Sequence, residues 1–461
     1  MPLHLPQDTA QVIGSRAERC ESRSLFAARF ADPTSKEGSR KTWFDTFISK
    51  NASPPVTSQL WHPSTASLLH GRLLSRLMVG MANGVMENAG LTLDRYGLPI
   101  IPGSAVKGCA RRAALAALRE WCESGVKPNG DDNLFTPLCL VFNTPEELLT
   151  CVCLVFGWVE QDWSTEKNKG GNWVSDLVWA CAGPGEVFVR SACMLCEQLD
   201  AAIGNEERPW DSLPNFAGCI AFLHASPNRD PGLVLDILTP HHTAYYESTN
   251  PNAVAADTEE PVPVLFPAIK EQREHDCFTF PLIPLRNANQ LLLTFAVCAL
   301  RTGLETFGIG AKANAGYGSF DASESFNESV LEHRAAAEKR RREEQAAAEL
   351  KARQDLEAKA KAAAKAELEA ALEGLSPEER EDKKIELLSD GQFDSKVRAF
   401  CKDPKKGGPT DAEKPAILRA LRGSRLAYWQ DFKSKATKGD LATVDQAIRS
   451  LSKTLNLGKM P

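Results

Sequence analysis

Residues 327–373 run for 47 positions without a glycine or proline, almost wholly in Ala, Glu, Lys, Arg, Gln and Leu. Nothing there breaks a helix, and 11 acids intermix with 10 Lys plus Arg so that i,i+4 pairs recur. Large apolar side chains are too sparse for a coiled-coil seam. The spacing therefore predicts a solvated single helix, about 70 Å long if continuous.

Such a rod divides the chain. Residues 1–60 read as an N-terminal segment packed on or extending a core, 61–325 as the core with an insertion around 158–217, 326–374 as the charged helix, and 375–461 as a small basic helical module. Ser376-Pro377-Glu378-Glu379 is a capping box with proline at the first helical position, so a new helix starts there. Residues 390–461 hold 15 Lys and Arg against 8 Asp and Glu, a net of +7. The whole chain carries −6, which leaves −13 for the rest. A surface that binds polyanions indiscriminately is excluded, and any nucleic-acid site must be a local groove.

Residues 1–19 lack an apolar core of signal-peptide length, and no segment reaches the length of a membrane span. The expectation is a cytoplasmic protein whose thirteen cysteines are reduced and mostly buried. Cys193-Met194-Leu195-Cys196 has the spacing of half a zinc ribbon, but no second pair answers it, so core thiols are expected there rather than a metal. No cofactor is expected.

Two stretches carry chemistry that suits a phosphate. Gly308, Gly310, Gly316 and Gly318 fall within eleven residues, with Lys312, Asn314 and Tyr317 between them. Glycines let the backbone turn tightly and approach a ligand, N–H groups can point at phosphate, and Lys312 adds a mobile charge. The run is neither the P-loop nor the dinucleotide spacing. An apolar period over 289–307 predicts a helix before it, and the alternation at 317–321 a short strand after it, as at the end of a ferredoxin-like βαββαβ unit. The second stretch is Gly103-Ser104-Ala105-Val106-Lys107-Gly108-Cys109-Ala110-Arg111. Ser104 is read as the N-cap of an alanine-rich helix, with Lys107 and Arg111 sharing a face near its positive end.

A third stretch, Pro240-His241-His242-Thr243-Ala244-Tyr245-Tyr246, places two histidines beside two tyrosines. Such residues serve acid/base cleavage at a 2′-hydroxyl, base stacking, or one another inside a loop.

In their order along the chain, these motifs resemble the RAMP superfamily of CRISPR proteins. Leu73–Gly80 with Arg76, and Tyr96-Gly97-Leu98-Pro99-Ile100-Ile101-Pro102-Gly103-Ser104-Ala105-Val106-Lys107-Gly108, are similar to its arginine–glycine and GxPxIPGSSLKG elements. The glycine run is similar to its GIGAKTNAGYG loop. The histidine stretch, followed by Pro261-Val262-Pro263, resembles the PHYxxYY segment of one family within it, the sixth subunits of type III-B Cmr effector complexes. Ala105, Val106, Ala313 and His242 depart from those patterns, and the resemblance covers about residues 68–320, not the tail.

The resemblance implies an α+β, ferredoxin-like (RRM-related) core that binds crRNA as a non-catalytic backbone subunit and holds the 3′ region of the guide. Its implied partners are crRNA, other RAMP subunits of the Cmr complex and a small helical subunit, with target RNA a further candidate and no membrane. Arg76, Gly103, Ser104, Lys107, Arg111, Gly308, Gly310, Lys312, Asn314, Gly316 and Tyr317 would then meet RNA. His241, His242, Tyr245 and Tyr246 would meet RNA or a subunit. The rival reading is a metal-independent endoribonuclease of guide precursors using His241 or His242 with Tyr246. In a third reading the chain is an interaction scaffold built on the charged helix. The leading expectation requires the helix start near residue 104 and the loop near residue 310 to adjoin.

Overall fold

In the computed structural model, the residues described are 7–13, 20–29, 37–50, 52, 63–81, 91–239, 242–250, 252–255, 263–285, 288–436 and 439–461. The chain divides into two compact units, residues 1–337 and 338–461.

The first unit opens with helices α1 (Gln7–Ile13), α2 (Arg23–Arg29) and α3 (Glu37–Ser49) before strand β1 (Ser67–Leu73). Helix α4 (Gly103–Ser124) follows, then α5 (Thr136–Cys139), α6 (Pro145–Phe156), α7 (Asp176–Ala180) and α8 (Glu186–Gln198). Strands β2 (Ile220–Phe222), β3 (Ser226–Pro227) and β4 (Leu233–Leu238), helix α9 (Thr243–Glu247), and strands β5 (Val264–Ile269) and β6 (Phe278–Pro284) come next. Helix α10 (Gln290–Thr306), strand β7 (Phe320–Asp321) and the first turns of α11 (Glu324–Leu372) complete the unit. This is a mixed helix-and-sheet fold, as the α+β reading expects.

The main sheet runs β2-β6-β1-β7, with β3 also on β6, and every pairing is antiparallel. Leu69 and Leu73 of β1 and Phe278, Phe280 and Leu282 of β6 point to one face and are buried there, as period-2 alternation requires. The helices α4 and α10 cover that face. Their close approach depends on Gly303, where a Cβ would lie 2.7 Å from the Cys109 carbonyl oxygen. The alternate face carries Leu68, His70 and Arg72 of β1 with Thr279 of β6, and the start of α11 lies over it. Asn327 there brackets the His70 backbone, accepting from its N–H at 2.8 Å and donating to its carbonyl at 2.9 Å. Arg334 reaches the His70 Nε2 at 3.2 Å. Arginine can only donate, so Nε2 accepts and Nδ1 carries the proton facing Thr279 Oγ1 at 3.2 Å.

A separate pair, β4 and β5, is tied to the segment after β1 by the two bonds between Leu77 and Ile269, at 3.0 and 2.8 Å. The helices α2 and α3 add Phe26, Trp43, Phe44 and Phe47 to the core. Arg23, buried, donates to Asp230 at 3.0 and 2.9 Å. Arg23 also donates to the Lys50 and Gly97 carbonyls, and Asp230 also accepts from the Ala52 and Gly232 N–H groups, so each charge keeps other hydrogen-bond partners.

The insertion around 158–217 carries α7 and α8, and Cys193 and Cys196 of α8, like Cys151 and Cys153 of the preceding α6, remain free thiols. Among the described residues no group of three or more His, Cys, Asp or Glu could hold a metal ion. Likewise no described helix is long and apolar enough to cross a membrane.

The second unit contains the rest of α11 and helices α12 (Pro377–Glu386), α13 (Asp390–Arg398), α14 (Glu413–Arg422), α15 (Leu426–Lys435) and α16 (Asp440–Thr454). Ser376 accepts from the Glu379 N–H and Glu379 from the Ser376 N–H, the capping box read from the sequence. Ile385, Phe393, Ile417, Leu421, Trp429 and Ile448 form its own core. The charged helix, by contrast, is exposed at every described side chain of residues 331–371, with pairs such as Glu338–Arg342 and Glu357–Lys361 along it.

Candidate nucleic-acid interface

Helix α4 begins two residues earlier than the sequence suggests. Pro102, with φ −56°, occupies the N-cap without a side-chain bond, so Ser104 is an exposed first-turn residue and not the cap. Proline suits that place because its fixed φ feeds a helix and the missing N–H is no loss there. Gly103 follows because a Cβ would collide with the Phe222 carbonyl on β2. Its role is close approach of helix to sheet.

The two basic residues expected to face phosphate are both engaged. Lys107 donates to the Ala217 carbonyl at 3.2 Å. Burial, then the neighbouring Arg111, lowers its pKa. Arg111 sits between two carboxylates, bidentate on Asp176 and 3.5 Å from Asp162. Burial outweighs the arginine and keeps the Asp176 carboxyl above its ordinary value. Arg111 therefore pins α4 to α7, and its phosphate role is not available in this arrangement.

The next residue behaves differently. One position is about 100° around a helix, and Arg112 turns outward with Ser104 and Gly108, all exposed. Its guanidinium lies 4.5 Å from the Phe307 ring, with no carboxylate partner among the described residues. Spacing missed it because Arg111 and Arg112 are equivalent until the partners of each face are known.

The glycine loop adjoins this surface. Cys109 Sγ lies 3.6 Å from the Gly308 carbonyl oxygen, six residues and about 9 Å of helix from Gly103. The loop is a closed knot of main chain. Ile309 N–H bonds Gly318 O at 2.9 Å, Ala311 N–H bonds Met78 O at 2.8 Å, and Gly318 N–H bonds Arg76 O at 2.8 Å. The Ala315, Gly316 and Tyr317 N–H groups also bond within the loop. Much of the expected donor array is therefore engaged internally. The N–H groups of Gly310, Lys312 and Asn314 take no protein acceptor among the described residues, and Gly310, Asn314 and Gly316 are exposed. Gly318, at φ 70°, cannot be replaced without strain, because a Cβ would strike the Ile309 carbonyl.

Lys312 is one of five described non-glycine residues with positive φ, at 59°, a conformation that costs about 1 kcal/mol or more. It presents the ammonium 4.3 Å from the centre of the Phe266 ring and 5.9 Å from that of Tyr317. Arg76 Nη1 donates to Asp236 Oδ2 at 2.6 Å, and the Tyr317 hydroxyl donates to the same oxygen. Burial would raise the Asp236 carboxyl, but those two hydrogen bonds outweigh it and hold the group below the usual range. Asp236 is thus a site residue that sequence reasoning did not single out. It lies 81 residues from Tyr317, a separation that no local spacing bridges.

The histidine stretch is more open. His241 and Pro261-Val262 lie outside the described residues. The backbone of His242 precedes α9, and Tyr245 and Tyr246 are exposed and edge-on at 5.4 Å. On the main sheet, the start of α11 lies over the His70 face.

The profile of the RAMP superfamily matches residues 70–321, more than half of the chain, a range that includes the start of α4 and the glycine loop. A curated relative is the CRISPR system Cmr subunit Cmr6 of Pyrococcus furiosus, 25% identical over 264 residues. That match covers 53% of this chain and 64% of the relative, so the chain spans less than two thirds of the relative's length. Similar solved structures include a cryo-EM structure of the type III-B Cmr-beta complex bound to cognate target RNA, at 17% identity and TM-score 0.29, over 69% of this chain and 74% of that one. The crystal structure of Cmr6 from Pyrococcus furiosus is similar at 20% identity and TM-score 0.27, over 56% of this chain and 98% of that one. The chain belongs to the RAMP superfamily, and the CRISPR system Cmr subunit Cmr6 of Pyrococcus furiosus is among its relatives.

Proposed function

We propose that this chain is a non-catalytic structural subunit of a type III-B Cmr effector complex, binding crRNA and holding the 3′ region of the guide. The observation that carries the reading is the buried contact of Cys109 with Gly308, which holds the glycine loop against α4 beside the exposed Arg112. Arg112 and Lys312 flank it as cations poised over rings, with no carboxylate partner among the described residues. Three loop N–H groups and two fixed cations suit a ribose-phosphate strand and read no base. Guide pairing would supply specificity, as in other RNA-guided effectors.

The finer fold reading, a ferredoxin-like core, is supported by the chain order β1-α4-β2-β6-α10-β7 and the sheet order β7-β1-β6-β2. Other RAMP subunits and a small helical subunit are the proposed partners, target RNA a further one, and the cytoplasm the proposed location.

The test is to coexpress the full chain with a repeat-containing precursor, purify it and extract its RNA. A short RNA of discrete length retained by the protein, with purified chain leaving fresh precursor intact, is the expected result. Cleavage that disappears in His241→Ala or His242→Ala would establish the nuclease instead. A protein that retains no RNA would remove the binding role.

A further inference from the structure

The second unit has a charge pattern that the proposed function does not use. Six of the eight carboxylates in residues 390–461 form ion pairs, for example Asp394 with Arg398, Glu413 with Lys396 and Asp431 with Lys435. The excess of basic residues is therefore left over, and not uniformly. One group is the turn after α13, where Lys402, Lys405 and Lys406 are exposed with no carboxylate partner among the described residues. The other surrounds the C-terminal segment, where the Arg422 guanidinium abuts Gly458 and Lys433 Nζ reaches the Pro461 carbonyl at 3.5 Å. The Arg422 Nη1 is buried and makes no hydrogen bond.

The lysine turn is held in shape. Lys406 N–H and Gly408 N–H both bond Asp403 O, at 2.8 and 3.1 Å, and Asp403 Oδ1 accepts from the Lys405 N–H at 2.8 Å. A Cβ at Gly408 would collide with the Lys402 carbonyl. The three ammonium groups are thus gathered on one short, fixed turn. Strongly hydrated point charges without aromatic partners or a bidentate fork suit phosphate oxygens approached from solvent. They do not suit a buried carboxylate.

We infer that the 402–408 turn is a second RNA-binding surface, contacting the phosphate backbone without regard to sequence. The inference rests on RNA being the ligand of the first unit. Its charge bookkeeping, however, comes from the second unit alone, so the two can fail separately.

The test titrates a fluorescent oligouridine with the full chain between about 50 and 200 mM salt. It compares Lys402→Glu/Lys405→Glu/Lys406→Glu with Arg112→Glu/Lys312→Glu. With about 0.7 of slope per phosphate contact on a single strand, the triple variant should lower the log–log salt slope by about 2 and weaken binding about tenfold or more. The corresponding triple alanine variant, which adds no repulsion, should move the same way by less. Far-UV circular dichroism and melting of each variant establish that the exposed substitutions leave the fold intact. Unchanged affinity and slope in both triple variants overturn the inference, and with binding lost in the Arg112/Lys312 variant they leave the first site standing. Loss confined to the triple variants supports the inference and removes the first site. A polyglutamate peptide bound through the same lysines more tightly than RNA would assign the turn to an acidic protein and overturn it.

Discussion

Around α4 and the glycine loop, Arg76 and Arg111 face carboxylates, Lys107 a carbonyl, and Arg112 and Lys312 aromatic rings. At the 402–408 turn three lysines face water. The first arrangement fixes where each charge sits, so few cations remain available but their directions are set. The second offers sign and density with little direction. A surface of the first kind should be sensitive to backbone geometry, and one of the second kind chiefly to salt.

The comparison can be broken most severely at Gly318. Gly318→Ala forces a side chain into the Ile309 carbonyl at φ 70°, and the expected cost to the first unit is about 3 kcal/mol or more. Denaturant unfolding followed by fluorescence should show that transition moving while the one from the second unit stays in place. A variant as stable as the parent would mean that the loop is not the rigid element described.

A smaller effect comes from pH. Burial, then the Arg334 guanidinium, holds His70 near a pKa of about 4, against 6.5 for an exposed imidazole. Between those values the unfolded chain takes up a proton that the folded chain refuses. Stability is therefore complete above pH 6.5 and falls as pH drops towards 4. At pH 5 the loss is about 2 kcal/mol for the first unit. Residues 338–461 contain no histidine, so that unit's transition should hardly move between pH 7 and 5. The urea midpoint of the first unit at pH 5 decides it, and Arg334→Ala should soften the drop.

Third in size is the Arg112→Glu/Lys312→Glu variant. Loss of two phosphate contacts predicts about tenfold weaker RNA binding near physiological salt and a slope lower by about 1.4. Lys107→Glu is a useful contrast, because its target is a carbonyl on a neighbouring segment. It should lower the melting temperature more than the affinity.

The smallest expected change is at Asp236. Asp236→Asn removes the charge that holds Arg76 and leaves a hydrogen-bond partner for Tyr317. Freeing one cation beside the loop should tighten RNA binding about twofold to fivefold at low salt, with the gain vanishing at high salt. Weaker binding from this variant would show instead that the Arg76–Asp236–Tyr317 arrangement positions the loop.

The helices around the site were legible where local rules suffice. The apolar period over 289–307 is α10, and the uninterrupted charged stretch, all but its last residue, lies within α11. Serine and glutamate at the right spacing make the cap of α12. In the small basic helical module, Gly423-Ser424 separates α14 from α15, a break that the module's composition did not locate. At the site, the glycines and Lys312 were legible as a backbone and charge motif. Ser104 as a cap was not, because Pro102 ahead of Gly103 already ends the preceding chain and starts the helix.

By itself, the sequence determined what depends on neighbours along the chain: helix periodicity, the charged rod, the glycine loop and the membership those motifs announce. Tertiary structure alone decided which arginine is neutralised, since Asp162 and Asp176 reach Arg111 from 51 and 65 residues away and no carboxylate among the described residues reaches Arg112. It also brought Asp236 to Arg76 and Tyr317, and laid the start of α11 over the sheet face. The reason is physical. Periodicity and turn chemistry act over a few residues, whereas the energy of a charge is set by whatever the fold brings within a few ångströms of it.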